Sequence, residues 1–312
     1  MSSPDLPFPR KERMHPYLRV VPVWFLLALV ATAQQTPSSS HQPAQTTAAA
    51  KLPSESLVNA FLQQMFGYDS TLSWKITSIK PSEAAGLAEV DVMIQGPHGA
   101  QAQKFYVSPD EHHAVIGQIL PFGNHPFDAA RERLEKGMNG PSRGPATAPA
   151  TVVEFSDLQC PHCKDAQPNL DRLAAEDKDV RIVFQNFPLP MHDWAMKAAQ
   201  YADCIGRRSN DSFWKFIESV YGAQSDITAA NADEKLKAFA EAAGVTGDET
   251  VACAAKPETT SRVEHSVALG TALDVNSTPT IFINGRQLSA GGISYEVLKE
   301  LVDFAVKQNS SH

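Results

Sequence analysis

Cys160-Pro161-His162-Cys163 sets two thiols with only two residues between them, and the stretches on either side decide what they can do. Thr151-Val152-Val153-Glu154-Phe155 is apolar and β-branched, as a buried strand is; Lys164 to Glu176 reads as a helix. A strand aimed at a helix start puts the first sulfur against unpaired backbone N–H groups and the positive end of the helix dipole. Both stabilise a thiolate, which is the nucleophile of disulfide exchange. Cys160 is therefore the expected attacking thiol and Cys163, one helical turn further in, the resolving one. His162 lies between them and can donate a hydrogen bond or positive charge toward the Cys160 sulfur. A zinc half-site is the competing reading, but it needs two more Cys or His at ligand spacing. Cys204 and Cys253 are far apart and each solitary, so no metal is expected, and thiol exchange calls for no cofactor.

If Cys160 and Cys163 are the active pair, Cys204 and Cys253 remain to bond to each other. A structural disulfide is the first expectation; two buried thiols or a second redox relay are the alternatives. An even cysteine count suits an oxidising compartment. Near the N-terminus, Arg10, Lys11, Arg13 and Arg19 precede an apolar run from Val20 to Val30, followed by Ala31-Thr32-Ala33. This order reads as a secretory signal over residues 1–33, cleaved after Ala33, with an uncleaved anchor as the alternative. The expected location is the periplasm or another exported space. The net charge of −8 disfavours nucleic acid or an anionic membrane surface as partner.

The elements that must position the thiols fall into two domains, for which the chain is long enough. Residues 34–53, rich in Gln, Thr, Ser, Pro and Ala, read as a disordered tether. Residues 54–136 read as a small α+β domain. It holds a helix from Glu55 to Phe66 capped by Ser54, then strands at Leu72–Ile79, Leu87–Ile94, Gln103–Val107 and Ala114–Leu120, and a helix at Phe127–Lys136. Gly137 to Ala150, with its Pro and Gly, reads as a linker. From Thr151 the chain runs strand, helix, then strand at Val180–Phe184, a spacing that implies parallel pairing. A helical block over about 190–273 follows, including a helix at His192–Ile205. A hairpin turning at Asn284-Gly285 and a last helix from Ser294 to Lys307 complete a domain over 151–308.

This order resembles the thioredoxin fold with the helical insertion of the DsbA family, and Cys-Pro-His-Cys is a dipeptide choice typical of that family. Three further positions carry the resemblance. Glu154 lies six residues before Cys160, where the family has a buried acid. Pro168 lies eight after it, where the family's helix has a kink proline. Thr278-Pro279 precedes the hairpin, where the family has a cis-proline. The fold class is accordingly α/β, a thioredoxin fold with a DsbA-type insertion behind a small α+β domain. The resemblance gives Glu154 the role of proton relay to the resolving thiol, consistent with the raised pKa of an unpaired carboxylate on a buried strand. It gives Thr278 and Pro279 a substrate-binding role, offering backbone to an extended peptide.

The function implied is an exported thiol:disulfide oxidoreductase that introduces disulfides into reduced exported proteins. A membrane partner of the DsbB or VKOR type would re-oxidise it. A second resemblance keeps the direction open. Ser108-Pro109-Asp110 followed by Ala114-Val115-Ile116-Gly117 is similar to the N-terminal domain of DsbC- and DsbG-type isomerases, which implies a homodimer acting on misfolded proteins as isomerase or reductase. A holdase whose cysteines only staple the fold is the non-enzymatic alternative; a C-x-x-C at a helix start is a poor staple and a good redox centre.

Overall fold

A computed structural model of the chain describes residues 50–97, 99–289 and 293–309. The expected signal segment and most of the expected tether lie outside the described residues. The chain divides into two compact units between Gln118 and Ile119.

In the first unit, Ser54 caps α1 (Glu55–Phe66) by accepting from the Leu57 N–H. Strands β1 (Ser73–Pro81), β2 (Ala88–Gly96), β3 (Gly99–Val107) and β4 (Ala114–Ile116) form an antiparallel sheet in that order. Val58 and Leu62 of α1 bury against Ala88, Val90, Val92 and Phe105 of the sheet. β4 is shorter than the expected Ala114–Leu120. Gly117 has φ 145°, a conformation that takes the chain out of the ladder.

The second unit begins earlier than the sequence suggested. Helix α2 (Asp128–Gly137) was expected in the first domain, but its Leu134 is buried with Val153, Phe155, Leu269 and Phe282 of the second. Nor is Gly137 to Ala150 a free linker. It contains β5 (Ser142–Arg143), paired antiparallel with β7 (Val180–Asn186). At Gly140 a Cβ would stand 1.7 Å from the Phe184 carbonyl oxygen. The glycine content that reads as looseness serves close approach to the sheet.

The central strand β6 (Ala150–Ser156) pairs parallel with β7 and antiparallel with β8 (Thr280–Ile283). With β9 (Arg286–Ser289) the sheet order is β5-β7-β6-β8-β9. Alternate β6 residues face opposite layers. Ala150 and Val152 pack with Leu170 and Leu173 of α3 (Pro161–Glu176) and Leu298 and Val302 of α9 (Tyr295–Asn309). Val153 and Phe155 pack under α2 and α8 (Pro257–Thr271). Asn284 and Gly285 both take positive φ in the hairpin turn, as the Asn-Gly pair requires.

The insert comprises α4 (Ala195–Arg208), α5 (Asn210–Gly222), α6 (Ala232–Ala242), α7 (Gly247–Ala254) and α8. A Cys204–Cys253 disulfide ties α4 to α7 across 49 residues of sequence. Replacing both by alanine is expected to lower the unfolding free energy by up to about 4 kcal/mol in a urea titration, with the exchange rate unchanged. A loss of exchange in a folded double variant would instead reveal a redox relay.

Candidate active site

β6 ends at Ser156 and α3 starts at Pro161, so one short loop delivers the first cysteine. Cys160 is the N-cap of α3, extended at φ −75° and ψ 122°, with Pro161 in the first turn, where a missing N–H is no loss. The Cys163 and Lys164 N–H groups both donate to the Cys160 carbonyl at 3.2 Å. The loop is braced from beneath by Asp157, which is 1% exposed. Its Oδ1 accepts from the Gln159 N–H at 2.7 Å. Its Oδ2 accepts from the Leu189 N–H at 2.8 Å and lies 2.7 Å from His192 Nδ1. Gln224 Nε2 donates to the carbonyls of Leu158 and Cys160 at 2.9 and 3.1 Å. His192 was expected on a helix; α4 starts at Ala195, which leaves His192 in the loop facing Asp157.

Both sulfurs are buried, but their electrostatic surroundings differ. Cys160 is 4% exposed and Cys163 0%. The Cys160 thiol is brought down to about 5, chiefly because the Cys163 thiol donates to it, against the opposing effect of burial. The Thr278 side chain and the backbone N–H groups of Cys163 and His162 add to the lowering. Among the described residues the buried Thr278 hydroxyl has no hydrogen-bond partner, so it is free to donate to a thiolate at Cys160. The His162 contribution to this lowering comes from its backbone N–H. Its imidazole is exposed, and among the described residues no side-chain hydrogen bond joins it to Cys160. Cys163 is pushed well up by burial, by its donation to Cys160 and by the Glu154 charge. The Asp157 N–H, 3.4 Å away, is its one stabilising donor among these causes.

Glu154 is fully buried, and burial pushes its carboxyl up to about 7, against the hydrogen bond from Ser156 and the charge of Arg143. Ser156 Oγ donates to Glu154 Oε1 at 2.7 Å and lies 2.9 Å from the Tyr221 hydroxyl. Among the described residues Oε2 has no hydrogen-bond partner. Arg143, from the supposed linker, binds Asp171 and stacks its guanidinium 4.3 Å from the Trp214 ring centroid. The Thr278–Pro279 peptide is cis, and the Cys160 thiol lies 3.4 Å from the Thr278 carbonyl. Pro168 lies inside α3.

The structure therefore brings together Cys160, Cys163, Glu154, Thr278 and Pro279, and leaves the Cys204–Cys253 bond in the insert. Asp157, Ser156, His192, Tyr221 and Gln224 are additional. Asp157, three residues ahead of Cys160, carried an Asx-turn signal that could have been read, and Ser156, two residues after Glu154, shares its face of the strand; the other three could not be linked to the site by spacing. A cavity of about 360 Å³ between α2, the hairpin and α9 is lined by none of these residues. The thiol chemistry is not in that pocket.

The chain belongs to the thioredoxin family, whose family model matches residues 136–304. Within that family its second unit is a DsbA-like thiol:disulfide oxidoreductase domain. Disulfide bond formation protein D of Bacillus subtilis is 29% identical over 177 residues, covering 54% of this chain and 77% of that one. The crystal structure of oxidised BdbD from Bacillus subtilis superposes with a TM-score of 0.50 at 26% identity, covering 55% of this chain and 94% of that chain. The Na(+)/H(+) antiporter NhaA 3 of Salinispora tropica is 31% identical over 146 residues, 46% of this chain. The match spans only 22% of that antiporter's length. The family match starts at residue 136, so the first unit stands outside it.

Proposed function

We propose that this protein is an exported thiol:disulfide oxidoreductase that introduces disulfides into reduced exported proteins. The observation that carries the reading is the Cys160 sulfur, held at a helix start with its thiol brought down to about 5. A stabilised thiolate stabilises the reduced form, which makes the disulfide a strong oxidant. A substrate thiolate attacks Cys160 Sγ. A substrate–Cys160 disulfide forms, the Cys160–Cys163 bond breaks, and its electron pair leaves on Cys163. Glu154, titrating near 7, supplies the proton that the buried Cys163 thiolate needs. A second substrate thiolate then attacks the mixed disulfide and releases Cys160 as a thiolate. The substrate has lost two electrons and the enzyme dithiol has gained them. Thr278 and Pro279 offer backbone beside the sulfur to an extended substrate. A membrane partner of the DsbB or VKOR type takes the electrons onward.

Export is supported by the basic, apolar and small-residue order of residues 1–33 and by the Cys204–Cys253 disulfide. Among the described residues no helix is long and apolar enough to cross a membrane. A dimeric isomerase or reductase of the DsbC or DsbG type is the second reading. What favours it is the outer strand β4, whose Val115 and Ile116 are 50% and 71% exposed. An edge of this kind can pair with a second copy.

Titration of the Cys160 thiolate by its ultraviolet absorbance, with gel filtration of the same sample, tests the proposal. A thiol titrating near 5 in a monomer more oxidising than about −150 mV is the expected result. A value near 8 would sink the oxidase reading, and a dimer that rescues scrambled substrate would replace it with the isomerase.

A further inference from the structure

Glu154 has two carboxylate oxygens in unequal surroundings. Oε1 accepts from Ser156 Oγ at 2.7 Å, and Oε2 is buried with no partner among the described residues. Ser156 follows Glu154 by two residues on β6, so both side chains leave the same face of the strand. Ser156 in turn lies 2.9 Å from the hydroxyl of Tyr221, on α5. Tyr221 packs in one buried cluster with Cys160 and Cys163. All three members are closed to solvent: Glu154 is 0%, Ser156 1% and Tyr221 4% exposed.

The direction of this wire is fixed by elementary rules. An ionised carboxylate only accepts, so Ser156 must donate to Oε1. The serine hydroxyl has one hydrogen, which is then spent, so Tyr221 must donate to Ser156. Burial holds the Tyr221 hydroxyl protonated well beyond its usual range, which keeps it a donor throughout. We propose that Ser156 and Tyr221 are positioning residues that saturate Oε1 of Glu154 and confine its exchanging proton to Oε2, the oxygen that serves Cys163. The inference rests on the proton-relay reading of Glu154 above and assigns that relay to one atom.

The wire is unchanged through the cycle. When Cys163 leaves Cys160 as a thiolate, the proton passes from Oε2 to sulfur, and the new carboxylate keeps the Ser156 hydrogen bond on Oε1. When a mixed disulfide between Cys160 and the oxidising partner is resolved, the Cys163 proton returns to Oε2. Its sulfur then closes the bond to Cys160, and the partner's sulfur leaves with the electron pair. The other groups that act on Glu154 are Arg143 of β5, which favours the carboxylate, and Asp171 of α3, which opposes it. Arg143 and Asp171 are bound to each other, so their charges largely offset. Cys163 of α3 faces the same carboxyl, and Asp157 acts on Tyr221.

The test follows the Glu154 carboxyl by its infrared C=O band against pH. In parallel it follows the pH dependence of the reaction between the oxidised full chain and a cysteine-containing peptide. Ser156→Ala is expected to move both inflections upward by about one pH unit, a roughly tenfold drop in the ratio of ionised to protonated carboxylate. Tyr221→Phe should move them in the same direction by less, and Ser156→Thr should restore the native values. A merely structural role would lower stability and leave the inflections where they are. Folded Ser156→Ala and Tyr221→Phe proteins with native inflections would overturn the proposal while leaving the relay intact. Glu154→Gln separates the two layers: an inflection that survives it sinks the relay reading itself, and the wire with it.

Discussion

Cys160→Ser is expected to reduce disulfide exchange to the uncatalysed rate, and Cys163→Ala to arrest it halfway. The asymmetry follows from the two sulfurs. At pH 7 a thiol titrating near 5 is about 99% ionised, against about 3% for one near 8.5. Cys163 cannot substitute for the lost nucleophile, because it is fully buried and its thiol is pushed well up. In Cys163→Ala, Cys160 can still attack a disulfide substrate, but nothing resolves the product, so the mixed disulfide accumulates. The same variant removes the thiol whose donation is the largest cause of the Cys160 lowering, so Cys160 should also titrate higher. Stopped-flow exchange with a peptide disulfide measures the first effect, and mass spectrometry of the trapped adduct the second. Exchange that survives in Cys160→Ser, or an adduct that fails to accumulate in Cys163→Ala, would reverse the assignment of the two roles.

The thiol pair, its strand and its helix were legible because each depends on neighbours in sequence. Val152 to Phe155 must be buried, and a helix must follow the cysteines. The hairpin was legible for the same reason, since Asn284-Gly285 suits only a turn with positive φ. Glu154, Pro168 and Pro279 were reached through resemblance, not through spacing. What escaped depends on packing between distant segments. Gly137 to Ala150 looked like a linker because glycine and proline mark loops; here Gly140 lets the backbone approach the Phe184 carbonyl, and Arg143 is carried to Asp171 and Trp214. Asp157 meets His192 across 35 residues, and Ser156 meets Tyr221 across 65. No local pattern records such pairs. Both join polar groups beneath the redox loop, where an apolar residue would have satisfied the hydrophobic pattern equally well.

Two of these buried groups should also write opposite slopes into the stability of the protein. Glu154 titrates at about 7 in the fold against 4.5 ordinarily. The folded state therefore binds its proton more tightly. Stability is unaffected below pH 4.5 and falls as the pH rises through 7, by about 3 kcal/mol in all. Cys160 runs the other way. Its folded value near 5 lies below the ordinary 9.0, so its contribution is complete above pH 9 and is lost as the pH falls through 5. At pH 7 it amounts to about 2 kcal/mol, allowing for partial screening by solvent. Only the reduced protein has this thiol to titrate. In the oxidised protein, then, unfolding in urea should become easier between pH 4.5 and 7, and Glu154→Gln should flatten that decline. In the reduced protein the thiolate should offset much of it and then raise stability further toward pH 9. The gap between the two redox forms thus widens in favour of the reduced form over pH 5 to 9. By linkage that widening is the same free energy that makes the Cys160–Cys163 disulfide oxidising. Parallel stability curves for the two forms would mean that Cys160 has an ordinary thiol, and would remove the physical basis for an oxidase.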